Sequence, residues 1–505
     1  MSSHDYIIIG GGTAGCVLAA RLSQDPAAQV LLLEAGGPAD GEAFTGPAAW
    51  PGLIGSPADW GDHTTPQADA GPLAYPRGRV LGGSGTINAM AHVRGHRTVY
   101  DEWTAGGAPG WGHADLLPYF RRSERRAGGS PGERGDDGPV EVGPVPEQVR
   151  HPVARALADA LVAAGHPVTA DLSGSCQEGV CWADLAITAS GRRAGPATAY
   201  LAPAMAERRN LQVWTGCRVT GLIIRHRRCA GVSYVHDGTA GEARADGEVI
   251  VCAGAIGSPR LLMLSGIGPA DHLKALGIDP VVNLPVGENL QDHPVVRAAY
   301  RSAVPLPPST RNHGEVYAAL RSPLAAAVPD LHLFPVLLPV AVPGQQVPPS
   351  GFALVAALMT PDSRGTIRLS SADLDAPPRI DPGFLRDGRD TERLLTGLAM
   401  ARHAAAGRAF AHLGIAEMAP GPGVQDAAGV RAWIRQSVGS YYHPAGTCRM
   451  GTGPDTVTDS RLRVYGLTGL RVADASVMPV IPNACPHATV LAIAERAADL
   501  IAPHF

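Results

Sequence analysis

The chain has 505 residues, more than one domain usually holds, so two domains sharing a long interface are expected. Apolar residues make up 45 % and charged residues 17 %, which excludes a disordered chain; a net charge of −4 without a basic tract gives nucleic acid nothing to bind. The single lysine, Lys274, excludes a GxxxxGK[ST] phosphate loop and leaves Schiff-base chemistry one residue, which DHLKALG places on a surface helix.

The opening MSSHDYIIIGGG passes directly into a buried strand pattern at residues 6–9, with no basic flank and no long apolar run. A cytoplasmic protein without signal peptide or transmembrane segment is expected. A glycine turn, a helix over 13–23 and a second strand in VLLLEAG complete a β-α-β unit with a parallel sheet. Gly10, Gly12 and Gly15 stand in GxGxxG register between strand and helix. The first permits the turn, the second lets backbone approach a pyrophosphate, and the third brings helix against strand. Glu34 ends the second strand, placed to accept hydrogen bonds from a ribose diol. This unit alone does not separate NAD from FAD.

Residues 36–85 are punctuated by glycine, proline and tryptophan and predict long ordered loops, closing in the glycine-dense GRVLGGSGTIN of residues 78–88. A charged, glycine-rich stretch at 128–138 predicts an exposed loop, and 151–165 an amphipathic helix. Alternating apolar and polar residues over 210–253 predict antiparallel strands returning to the nucleotide unit. GAIGSPRLLMLSGIG follows at 254–268, and the Pro-, Val- and Leu-rich 300–360 predict the floor of a substrate domain. Near the end come SYYHPAGTCRMG at 440–451 and a helix over about 488–501 whose Val490, Ile493, Ala494 and Ala497 mark a buried face. Eight scattered cysteines without a CxxC pair read mostly as buried thiols in a reducing compartment.

GRVLGGSGTIN and GAIGSPRLLMLSGIG, with DLSGSCQEGV (171–180), VGENLQDH (286–293), SRGTIRLSS (363–371), YHPAGTCRMG (442–451) and LRVADASVMP (470–479), resemble the motifs of the glucose-methanol-choline (GMC) family of FAD-dependent oxidoreductases from end to end. The first motif departs from the pattern at His92, where an aromatic residue or alanine is usual. The resemblance implies an α/β fold: a Rossmann-like FAD-binding domain, discontinuous over residues 1–155, 212–297 and 449–505. A substrate-binding domain of antiparallel sheet and helices would span 156–211 and 298–448. It implies that FAD is held by Gly10, Gly12, Thr13, Ala14, Gly15, Glu34 and Ala35, and beside the flavin by Gly83, Ser84, Asn88, Ala89 and Met90. The backbone at Val219 would lie near the adenine, with Ala253, Asp474, Ala475, His487, Ala488 and Thr489 completing the site. Relatives that tether flavin covalently do so through a histidine just before the position of Asn88; Ile87 stands there, so dissociable FAD is expected.

The same resemblance makes His443 the active-site base. Oxidising an alcohol by hydride loss requires removal of its hydroxyl proton, for which histidine is suited. Relatives carry a second histidine or an asparagine on the last loop, where this chain has Cys485; His487 or Asn483 then takes over, or His443 works largely alone. His487, as imidazolium at a helix N-terminus, could stabilise the charge that arrives with the hydride. A zinc site from His443, Cys448, Cys485 and His487, or a Cys485–His443 nucleophilic pair, is a minor alternative, and no metal is expected. The implied reaction is oxidation of a primary or secondary alcohol with oxygen or another electron acceptor as reoxidant. A hydroxynitrile-lyase-like flavoprotein and an FAD-binding protein without turnover are the alternatives. His332, Phe334, Tyr441 and Tyr442 are candidate pocket residues. No cluster of aromatics with an acid marks a quaternary-ammonium cage.

Overall fold

The two apolar runs at the start of the chain, Ser3–Ile9 and Val30–Leu33, pair in parallel with Tyr6 opposite Val30. VLLL is buried at every position, as a strand covered on both faces requires. The computed structural model describes residues 3–502, so the outermost ends of the expected spans 1–155 and 449–505 lie outside the described residues. On the far side of Ser3–Ile9 runs Thr239–Val251, whose end is parallel to it and to Leu470–Val472. The beginning of that long strand pairs antiparallel with Arg228–His236, itself paired with Cys217–Arg225. Leu211–Trp214 closes the other edge. Thr13–Leu22 packs against the helix His487–Ile501, whose Val490, Ile493, Ala494 and Ala497 are buried as their spacing predicts.

The second sheet is antiparallel throughout its main path: Ala416–Ala419, Pro294–Arg301, Gly351–Leu358, Leu331–Val336, Val316–Leu320 and Gly179–Trp182. One face is covered by the helices Pro152–Ala163 and Gly388–Ala405 around a core with Phe352, Leu354 and Leu398. Because side chains alternate along strands, the opposite face carries a row that crosses four of them, Tyr317, Phe334, Val355 and Arg297. That face and the C-terminal ends of the parallel strands line one cleft.

Three expectations change. The limits at 155/156 and 297/298 fall inside single elements, the helix Pro152–Ala163 and the strand Pro294–Arg301. Tyr200, Leu201 and Ala204, expected in the substrate domain, join the core of the first sheet. Nor is 128–138 an exposed loop throughout: Arg134 is buried, bonding Glu124 through Nε at 2.6 Å and Asp171 and Asp184 through Nη1 at 2.8 Å each. A charged composition reads as solvated until its partners are seen.

Candidate active site

At the nucleotide end of the cleft the three glycines act as their spacing requires. Gly10 has φ +98°, and a Cβ there would lie 2.6 Å from the Cys252 carbonyl oxygen. At Gly15 a Cβ would lie 1.9 Å from the Gly10 oxygen, so helix and strand close only on hydrogen. Gly12 faces open cleft, with nothing nearer than 3.9 Å to a Cβ, and caps Thr13–Leu22 without a side-chain bond. The free amides of that first turn fit a pyrophosphate. Glu34 accepts from Gly11 N and Gly36 N, both at 2.7 Å, and burial pushes its carboxyl up to about 7. Its remaining lone pairs suit a ribose diol. Asp474 accepts from Gly254 N at 2.9 Å and Ser476 N at 2.8 Å. The residues present fit FAD.

His443 lies at the substrate end, three residues after the short strand Gly439–Ser440, which pairs with Pro294–Arg301. Its Nδ1 is 2.8 Å from Nδ1 of His293, with the rings nearly perpendicular, so one of these nitrogens donates and the other accepts. Carbonyls at Met359 and Pro482 favour an N–H on His293, although none bonds its Nε2 in good geometry. With Nε2 protonated, His293 accepts at Nδ1 from His443 Nδ1–H, which leaves Nε2 of His443 as a lone pair for the cleft. The backbone is anchored too: His443 N donates to Asp292 Oδ1 at 2.8 Å, and Tyr75 Oη to Asp292 Oδ2 at 2.7 Å. Burial outweighs these donors and pushes Asp292 up to about 6. Tyr442, just before His443, sits at φ +66°, a strained conformation for a bulky residue.

Burial, then the charge of His332, holds the His443 imidazole down to about 3, and burial holds His332 down to about 4. Both shifts favour neutral rings at neutral pH. Tyr441 packs 4.2 Å from the His443 ring centroid and 4.9 Å from that of Phe334, which in turn lies 5.2 Å from Tyr317. This is an aromatic wall beside His443.

Of the alternatives for the second position, Cys485 and His487 line the cleft and Asn483 does not. Asn483 is spent on structure, accepting from His96 N at 2.7 Å and donating to the Pro329 carbonyl at 3.0 Å. Cys485 lines the cleft with Sγ 3.9 Å from Tyr441 Oη, and burial pushes the thiol up to about 11, so no thiolate nucleophile is available. His487 also lines the cleft, but burial, then His92 and Arg193, hold it down to about 3. A ring held so low does not favour the imidazolium that could have stabilised charge from this position. Cys448 is in the core of the first sheet, and among the described residues no group of three or more His, Cys, Asp or Glu is placed to hold a metal ion.

The cleft brings together Gly10, Gly12, Thr13, Ala14, Glu34, Ala35, Gly83, Ser84, Asn88, Ala89, Met90, Val219, Ala253, Asp474, Ala475, His443, Cys485 and His487. Three expected residues stand back from it. Gly15 is a packing glycine, Ala488 is buried in the core, and Thr489 bonds Tyr100 Oη at 2.8 Å. Missed from the sequence were the roles of Asp292 and His293. VGENLQDH contained both, and an Asp-His pair ahead of a strand was the available signal.

Two family models described as GMC oxidoreductase match residues 4–295 and 361–494. The chain belongs to the GMC oxidoreductase family. It is 38% identical over 539 residues to the mitochondrial choline dehydrogenase of Homo sapiens, covering 99% of this chain and 89% of that protein. Identity to the oxygen-dependent choline dehydrogenase of Chromohalobacter salexigens is also 38%, over 534 residues, with 99% and 95% covered. The crystal structure of pyridoxine 4-oxidase from Mesorbium loti superposes with TM-score 0.94 at 37% identity, covering 99% of this chain and 100% of that one. As a GMC oxidoreductase the chain is an FAD-dependent enzyme acting on CH–OH donors with a Rossmann-like cofactor fold. No helix among its described residues is long and apolar enough to cross a membrane.

Proposed function

We propose that this GMC oxidoreductase oxidises a neutral aromatic alcohol to its aldehyde or ketone, with His443 as general base. The observation that carries the reading is the His293–His443 pair at 2.8 Å, on a cleft that His443 lines together with Tyr441 and Phe334. When bound, FAD supplies the hydride acceptor. His443 Nε2 takes the hydroxyl proton as the C–H bond breaks with its electron pair; the O–H electrons become the carbonyl bond. Tyr441, Phe334 and Tyr317 hold a flat ring by stacking and edge contacts. Asn88 and Met90 would lie beside the flavin, and Ile87 leaves no side chain for a covalent tether, so the cofactor is read as dissociable.

Choline is disfavoured although choline dehydrogenases are among the relatives. The carboxylates lining the cleft are Glu34 and Asp474, both at the nucleotide end, and the substrate wall offers none to neutralise an ammonium. The similarity to pyridoxine 4-oxidase points the same way. The test is an anaerobic spectrum of the purified holoenzyme against aromatic alcohols, aliphatic alcohols and choline, followed by air. Bleaching by aromatic alcohols is expected, and the speed of recolouring identifies oxygen or another acceptor as reoxidant. Bleaching by choline alone overturns the substrate class, and bound FAD that nothing reduces favours a lyase or a binding protein.

A further inference from the structure

Seven arginines among the described residues are buried: Arg77, Arg94, Arg126, Arg134, Arg193, Arg393 and Arg471. Six have a carboxylate partner: Asp62, Glu124, Asp184, Glu124, Asp362 and Glu248 respectively for all but Arg193. Arg193, 4% exposed, has none. Its Nε donates to the Phe44 carbonyl at 3.0 Å, and its Nη1 to the Asn88 carbonyl at 2.7 Å and Asn88 Oδ1 at 2.8 Å. Its Nη2 is buried without a partner. Burial pulls the guanidinium down to about 10, so it remains charged at neutral pH.

An isolated buried cation costs several kcal/mol, and native proteins pair such charges. The buried acid Glu124 is itself committed to His92, Arg94 and Arg134. What Arg193 does face is the back of the segment that walls the cleft. Asn88 Oδ1 also accepts from Met90 N at 2.9 Å, and Asn88, Ala89, Met90 and His487 line the cavity. The expected negative charge is therefore one that a ligand carries in. Under the reaction above, His443 keeps the hydroxyl proton while the hydride adds two electrons and one proton to the cofactor, leaving one negative charge there. His487 is neutral and cannot balance it.

We propose that Arg193 is the fixed counter-charge of the reduced cofactor, acting through Asn88 on the Asn88–Met90 wall of the cleft. It is a positioning residue in the electrostatic sense, raising the cofactor's tendency to accept the hydride without touching the reacting atoms. The inference rests on the proposed flavin reaction and differs from a purely mechanical role, in which Arg193 only staples Phe44 to Asn88.

The experiment compares wild-type holoenzyme with Arg193→Lys, Arg193→Gln and Arg193→Met. The midpoint potential of the bound FAD is measured by dye equilibration, and its dissociation constant for sulfite, an anion-forming adduct, by titration. Loss of the charge in Gln and Met should shift the potential negative and weaken sulfite at least about tenfold, one pKa unit's worth of interaction, with FAD still bound after gel filtration. Lys, which keeps the charge and loses the fork, should stay near wild type. Unchanged sulfite binding in Gln and Met, or equal loss in Lys, overturns the proposal. So does a chain that folds only with a cation at 193, because the charge would then serve the apoprotein. A wild-type protein that binds no FAD would instead refute the underlying reading of the site.

Discussion

Replacing His293 tests the base assignment more sharply than replacing the base. His293→Leu removes the acceptor for His443 Nδ1–H while keeping apolar volume, and a buried donor left unsatisfied costs about 1–3 kcal/mol. The bond is 2.8 Å long and His293 is fully buried, so no water readily replaces the lost acceptor. If that cost falls on the transition state, in which His443 becomes charged, flavin reduction slows by roughly 5–150-fold. His293→Asn, whose amide oxygen can still accept, should recover part of the loss. The assay is anaerobic stopped-flow reduction with a saturating aromatic alcohol, carried out also in His443→Ala and in the double variant. His443→Ala alone should cost about 10²–10⁴-fold, and adding His293→Leu should then cost little more. Multiplying effects in the double variant, or a His293→Leu enzyme as fast as wild type, would refute the dyad.

Gly15→Ala should abolish stable folding of the nucleotide unit or FAD retention, because its Cβ would stand 1.9 Å from the Gly10 oxygen; a variant that purifies yellow and thermally unchanged contradicts this geometry. Apoprotein stability should fall as pH drops below about 6.5. His293, His332, His443 and His487 have folded values held below the ordinary one, so the unfolded chain binds their protons first, at about 1.4 kcal/mol per group per pH unit. Glu34, Asp292, Asp474 and Glu315, raised by burial, act in the opposite direction, while His4, His96, His113, His151, His166 and His272, also lowered, add to the loss, so the histidines prevail. Denaturant titrations at pH 7, 6 and 5 check the sign, and stability that holds or rises toward pH 5 would refute it.

The cofactor half was legible because its requirements are local. Gly10, Gly12 and Gly15 are dictated by contacts within one turn, and Glu34 by the length of one strand. The catalytic half depends on pairings that no spacing encodes. His293 and His443 meet across 150 positions, and PNACPH gives no sign that Asn483 turns into structure while Cys485 and His487 turn into the cleft. Arg192 and Arg193 are neighbours of the same type, yet one is exposed beside Glu42 and the other is buried without an acid. Only the fold separates them.

The electrostatics of the cleft reconcile two demands that one residue cannot meet. A base must be unprotonated before it acts, whereas the product of hydride transfer is stabilised by positive charge. A histidine charged in advance would serve the second demand and forfeit the first. Burial keeps His293, His332, His443 and His487 neutral. The permanent charge sits instead on a guanidinium that burial cannot discharge, one layer behind the wall at Asn88. In the proposed reaction His443 becomes charged only when it takes the substrate proton, at the moment when that charge helps. On this reasoning the site does not depend on whether Cys485 or His487 stands at the second position, because neither of its two charges comes from there.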